Sequence, residues 1–239
     1  GAQGVLGTGE VARAKPDGYT LGVLNLAAVV AQPIAGNASY KATDFEPLGM
    51  FSALTLVMTT NSSAPYKDMK AFEAHVKASG KLPLFASYGS ASYPTLMMQR
   101  IAKQNNWQFK EVVFPGPSNV QLQAGDAEFL VAPYTVMAGA IKAGQAQPLL
   151  AFTSKRIPAL PNTPTMLEAG YGADAMLWSG LFGPKGLPKD VAEKLTKALS
   201  EAVTDPAMTE LSEKIVSPFF YMNPAQSAAR IKEDEAALR

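Results

Sequence analysis

Apolar and polar positions along the chain follow two rhythms that take turns. Short β-rich runs alternate with stretches in which apolar residues recur every three or four positions. Extended segments are predicted at Tyr19–Leu24, Leu54–Thr59, Leu84–Ser87, Glu111–Phe114, Phe129–Val131, Pro148–Phe152 and Ala175–Phe182. Helical stretches stand between them. Asp68 reads as an N-cap for a helix running to Ser79, with Gly80 just past its end and Met69, Phe72 and Val76 as its apolar stripe. Further helices are expected over Glu10–Lys15, closed by Pro16, over Thr95–Gln104, up to Ala124, and over Pro133–Ala143, closed by Gly144. Near the end, Val191, Leu195 and Leu199 mark one helix face. Asp205-Pro206 opens the next helix, and Asn223 with Gln226 forms a capping box for the last. Lys155–Gly172 is rich in proline and glycine and reads as loop. This alternation predicts α/β layers with mostly parallel sheets.

Composition narrows the function classes. The chain has 239 residues, of which 47% are apolar and 17% charged, enough for one large or two small cores. Lys and Arg number 21 against 20 Asp and Glu, so the formal charge is +1 and no bulk attraction to nucleic acid or anionic membrane is expected. Cysteine is absent, which removes disulfides, thiol catalysis and Cys-ligated metal. No apolar run reaches the roughly 20 residues of a membrane span. Glycines at 1, 4, 7 and 9 are unusual at the start of a compact domain, and they read as the inside of a loop-to-helix junction from which upstream residues have been lost.

Three strand ends deliver Gly/Ser/Pro-rich or small-residue segments into helices: Asn25–Ala28, Ser87–Thr95 and Phe114–Asn119. Such segments present backbone N–H groups at helix N-termini, a means of holding an anion without a cationic side chain. Ordinary βα turns favour the same residues, so both readings stand at this point. Tyr88, Tyr93, Phe114, Tyr134 and Trp178 either wall a pocket or pack in a core. Trp107 and Phe109 are expected in the core. His75, the single histidine, has its nearest acid in sequence, Glu73, on another helix face and reads as a surface residue. No nucleophile elbow, P-loop or dinucleotide fingerprint occurs.

An ordered set of short motifs resembles one family over essentially the whole chain. Gly1-Ala2-Gln3-Gly4-Val5-Leu6-Gly7-Thr8 and Lys15-Pro16-Asp17-Gly18-Tyr19-Thr20-Leu21 come first, then Asp44-Phe45-Glu46-Pro47 and Ala86-Ser87-Tyr88-Gly89. Ile141–Gly144, Thr153–Arg156, Pro161–Thr165, Glu168–Gly170, Trp178–Phe182 and Pro184–Gly186 follow in order. The set resembles the solute receptors of tripartite tricarboxylate transporters, the Bug or TctC family. The resemblance implies an α/β, type II-like, two-domain periplasmic-binding-protein (Venus flytrap) architecture closing on a small organic carboxylate. Domain I is then expected at 1–56 and 178–239, and domain II at 57–177. About one β–α–β unit, ~30 residues or more, would precede Gly1, leaving domain I incomplete at its N-terminus.

The same resemblance implies a periplasmic, non-enzymatic monomer without a cofactor. It would hand its ligand to membrane subunits of the transporter and bind no nucleic acid. The alternatives are a receptor that docks on a membrane sensor and, on the same scaffold, an enzyme. The expected ligand contacts are Asn25, Leu26 and Ala27; Ser87, Tyr88, Gly89, Ser92, Tyr93 and Thr95; Pro115 and Gly116; Ala132 and Tyr134; and Trp178. Ala86, Ser87, Gly89 and Ser92 match the family's helix-start motif, while Ala91 and Thr95 replace its second glycine and its histidine. Phe114–Ser118 replaces a loop bearing lysine or serine. Ala132 stands where members often carry an aspartate, which disfavours an amino-acid ligand because a buried ammonium needs a paired charge. Ala132, Tyr134 and Tyr93 suit an apolar or aromatic acid.

Overall fold

The computed structural model describes residues 4–172, 175–215, 217 and 219–238. The glycine start at Gly1 lies outside them. The elements run α1 (Val5–Arg13), β1 (Gly22–Asn25), a π-turn (Ala27–Ala31) continuing as α2 (Gln32–Ile34), β2 (Phe45–Leu54) and β3 (Leu56–Asn61). Next come α3 (Met69–Ser79), β4 (Leu84–Ser87), α4 (Tyr93–Gln104), β5 (Lys110–Val113), α5 (Asn119–Ala124), β6 (Phe129–Pro133), α6 (Tyr134–Lys142) and β7 (Ala146–Ala151). The chain closes with β8 (Leu177–Pro184), α7 (Lys189–Val203), α8 (Pro206–Ile215), β9 (Phe219–Met222) and α9 (Pro224–Leu238). Two compact units result: unit 1 is Gly1–Ala53 with Leu177–Arg239, and unit 2 is Leu54–Met176.

Unit 1 carries a four-stranded sheet in the order β1-β8-β2-β9. β1 runs antiparallel to β8, with Gly22 opposite Phe182 and Asn25 opposite Ser179, and β2 runs antiparallel to β9. Trp178, Phe182, Leu48 and Met50 of this sheet are fully buried, as is Leu26 just after β1. Unit 2 carries a five-stranded sheet in the order β5-β4-β6-β3-β7. β4 is parallel to β5 and β6, and β3 is antiparallel to β6 and β7. The expectation of mostly parallel sheets is therefore corrected to mixed sheets. In unit 2 the helix α6 carries the chain from β6 over to β7, so these two run the same way, and β3 stands between them and runs against both.

Local chemistry explains the helices. Asp68 accepts a hydrogen bond from the Ala71 amide at 2.8 Å and Gly80 ends α3 at φ 64°, while Met69, Phe72 and Val76 are its buried face. Phe72 meets Trp107 edge-on at 5.4 Å, and Phe85 stacks on Phe129 at 4.9 Å, which centres the unit 2 core on aromatic rings. At the last helix, Asn223 and Gln226 exchange side-chain-to-amide bonds at 2.9 Å each. α1 begins at Val5 rather than Glu10, so Gly7 and Gly9 are helical. β2 is not among the extended segments expected from the sequence; its burial does not alternate, and its pairing with β9 shifts register between Met50 and Ser52.

Candidate functional site

The parallel arrangement of β5, β4 and β6 fixes where the unit 2 loops emerge. Their C-terminal ends lie side by side, with Ser87 opposite Val113 and Ala86 opposite Leu130. The segments 87–95, 114–119 and 132–135 therefore leave one edge of the sheet. None of them contains Lys or Arg. Ligands of open α/β sheets bind at such carboxyl edges.

The β4–α4 segment is the most developed of the three. Ser87 is buried, donates its hydroxyl hydrogen to Glu111 Oε1 and accepts the Gly89 amide at 2.9 Å. Its carbonyl accepts the Phe114 amide at 2.9 Å, which ties this segment to the one after β5. Gly89 sits at φ 109°, a conformation that side chains rarely adopt. Ser92 is the N-cap of α4, yet its hydroxyl pairs with that of Thr95 at 2.9 Å instead of capping a backbone amide. The positive end of a 12-residue helix is thus left without a side-chain cap. Tyr93 is buried, Tyr88 is half-buried, and burial pushes the Tyr88 phenol above its ordinary value.

The other expected contacts differ in character. Pro115 and Gly116 are exposed, but Ser118 and Gln121 form a capping box that satisfies the N-terminus of α5 from within. Ala132, near the end of β6, and Tyr134, the first residue of α6, are buried, and the Tyr134 amide donates to Thr55 O at 2.7 Å. α6 has no side-chain cap. In unit 1, Asn25 is exposed and accepts the Ala28 amide at 3.0 Å, Ala27 is half-buried and Leu26 is fully buried. That segment is a helical turn directly after β1, not an open loop. Trp178 is fully buried in unit 1 and donates its indole N–H to Asp234 Oδ2 at 2.7 Å, which places it in the core of that unit. His75 is exposed, with its ring 5.2 Å from that of Tyr66.

A groove of about 910 Å³ also opens in unit 2, lined by Lys77, Lys81, Lys103, Trp107 and Glu111 among others. Gly80–Leu82 and Asn106–Phe109, which line it, precede β4 and β5, so it lies mainly at the opposite edge of those strands from the loops. Glu111 is the residue that belongs to both regions. Sequence reasoning missed it, because the pairing of Ser87 with a β5 side chain depends on strand register. Among the described residues no cluster of three or more His, Asp or Glu side chains could hold a metal, and no helix is long and apolar enough to cross a membrane.

The fold is that of two-domain periplasmic binding proteins. A solved structure of a periplasmic transporter is similar at 27% identity and TM-score 0.85, covering 100% of this chain and 81% of that one. MatC from Rhodopseudomonas palustris, solved with bound malate, has the same fold at 24% identity and TM-score 0.80, covering 100% and 84%. Among curated relatives, a UPF0065 protein in the tcbD-tcbE intergenic region of Pseudomonas sp. (strain P51) is 28% identical over 221 residues, which is 90% of this chain and 66% of that protein. The model of the tripartite tricarboxylate transporter family receptor matches residues 1–238, and the chain belongs to that family. It spans about two thirds of the length of the curated relatives it matches.

Proposed function

We propose that this chain acts as a periplasmic solute receptor. It captures a small organic carboxylate and passes it to the membrane subunits of a tripartite tricarboxylate transporter, without turning it over. The observation that carries the carboxylate reading is the convergence of three cation-free segments at one sheet edge in a receptor of this family. Recognition rests on backbone N–H groups, on the paired hydroxyls of Ser92 and Thr95, and on the N-terminus of α4. Asn25, Leu26, Ala27, Pro115 and Gly116 remain candidate contacts. MatC, with its bound malate, is a precedent for a carboxylate in this fold. Ala132, Tyr134, Tyr93 and Tyr88 give the segment ends an apolar, aromatic character, and the one carboxylate that reaches them, Glu111, is engaged by the Ser87 hydroxyl. The ligand class is therefore an apolar or aromatic acid.

The test is native mass spectrometry of the purified protein, followed by a melting screen with benzoate, phenylacetate, adipate, malate and glutamate. A ligand at a hundredfold excess over its Kd adds about 2.7 kcal/mol, which raises Tm by about 5–10 °C in a chain of this size. The aromatic acids should give the largest shifts. Glutamate shifting Tm more than benzoate would remove the aromatic assignment, and no shift with any acid would remove the carboxylate reading.

A further inference from the structure

We infer that Glu111 is a positioning residue for the β4–α4 segment, working through Ser87 and resting on the reading of that segment as the carboxylate site. Glu111 lies on the edge strand β5, opposite Phe85 and one pleat from Ser87 on the same face. Its Oε1 accepts the Ser87 hydroxyl hydrogen. A hydroxyl has one hydrogen to give, so the Ser87 oxygen is turned to receive the Gly89 amide, and it does so at 2.9 Å. This bond holds Gly89 at φ 109° and sets the direction in which the backbone leaves β4. The Ser87 carbonyl, held in place by the same residue, receives the Phe114 amide at 2.9 Å. One serine thus fastens the starts of two of the three converging segments, and one carboxylate orients that serine.

Among the described residues Glu111 takes part in no ion pair. Lys77, Lys81 and Lys103 line the same groove farther along and are exposed. Ser87 changes role accordingly. Its hydrogen is given to Glu111 and its oxygen receives the Gly89 amide, so it shapes the site and does not touch the ligand.

The relay is tested with Glu111→Ala, Glu111→Gln, Ser87→Ala and the double variant Glu111→Ala/Ser87→Ala. Two readouts serve: hydrogen exchange of the Gly89 amide in ligand-free protein, and Kd for benzoate, phenylacetate, adipate and malate. Gln keeps an oxygen that accepts from Ser87, so Glu111→Gln should retain Gly89 protection and bind within about threefold of the parent. Glu111→Ala and Ser87→Ala should each lose Gly89 protection and weaken binding by about tenfold or more. The double variant should be no worse than Ser87→Ala alone, because both changes break one chain of bonds. Unchanged Gly89 protection in Glu111→Ala overturns the proposal. So does a Gln variant as weak as the Ala variant, additive losses in the double variant, or affinity that survives loss of protection. If no carboxylate binds the parent chain, the functional reading fails while Gly89 exchange still judges the relay.

Discussion

The indole N–H of Trp178 meets Asp234 Oδ2 at 2.7 Å in the core of unit 1, and Arg230 Nε lies 3.1 Å from each oxygen of the same carboxylate. Trp178, expected from the sequence among the ligand contacts, is here a core residue with its donor satisfied. Burial raises the Asp234 carboxyl above its ordinary range, and the Arg230 charge and the indole bond only partly oppose this. Asp234→Ala would take the acceptor from the buried indole and one carboxylate from the mostly buried Arg230, at a cost of about 1–3 kcal/mol. Asp234→Asn should cost less, since the amide oxygen still accepts from Trp178; urea unfolding at neutral pH orders the two variants. The raised carboxyl means that the folded state holds its proton more tightly. Stability from Asp234 is therefore fully present below the unfolded value of about 3.9 and falls as pH climbs through the folded value. The stability gap between the parent and Asp234→Asn should accordingly narrow as pH rises from about 4, and a widening gap would contradict this assignment.

Secondary-structure elements were legible where their chemistry is local. The helix at Met69–Ser79 was readable because Asp68 and Gly80 act within four residues of its ends, and Asp68→Ala should cost about 1 kcal/mol in an unfolding measurement. The last helix was readable from Asn223 and Gln226 for the same reason. Strand β2 was not, because its neighbours β8 and β9 come from the far end of the sequence and its burial lacks the two-residue rhythm. Close approach across that sheet was equally hidden. A Cβ on Gly180 would stand 2.8 Å from the Gly49 carbonyl oxygen and 3.2 Å from Met50 Cα, both backbone atoms that cannot turn aside. Gly180→Ala should therefore destabilise unit 1 by about 1–3 kcal/mol, visible as a lower Tm; an unchanged Tm would mean that β2 and β8 are not so close. In the candidate site, the small-residue segments were visible in the sequence, but their convergence was not. It depends on β4 standing between β5 and β6, and the link from Glu111 to Ser87 depends on register.

At the scale of the whole molecule, the chain belongs to the tripartite tricarboxylate transporter receptor family, its charge is nearly balanced, and its three candidate segments contain no Lys or Arg. On the proposed reading, backbone and hydroxyl groups at the C-terminal edge of the unit 2 sheet hold a carboxylate, and amide chemical shifts followed during a benzoate titration would locate it. The largest saturable shifts should fall in 87–95 and 132–135, with Gly89 and Thr95 among them, while Lys77, Lys81 and Lys103 of the groove stay still. Saturable shifts centred on those lysines, or no saturable shift in either region, would contradict it.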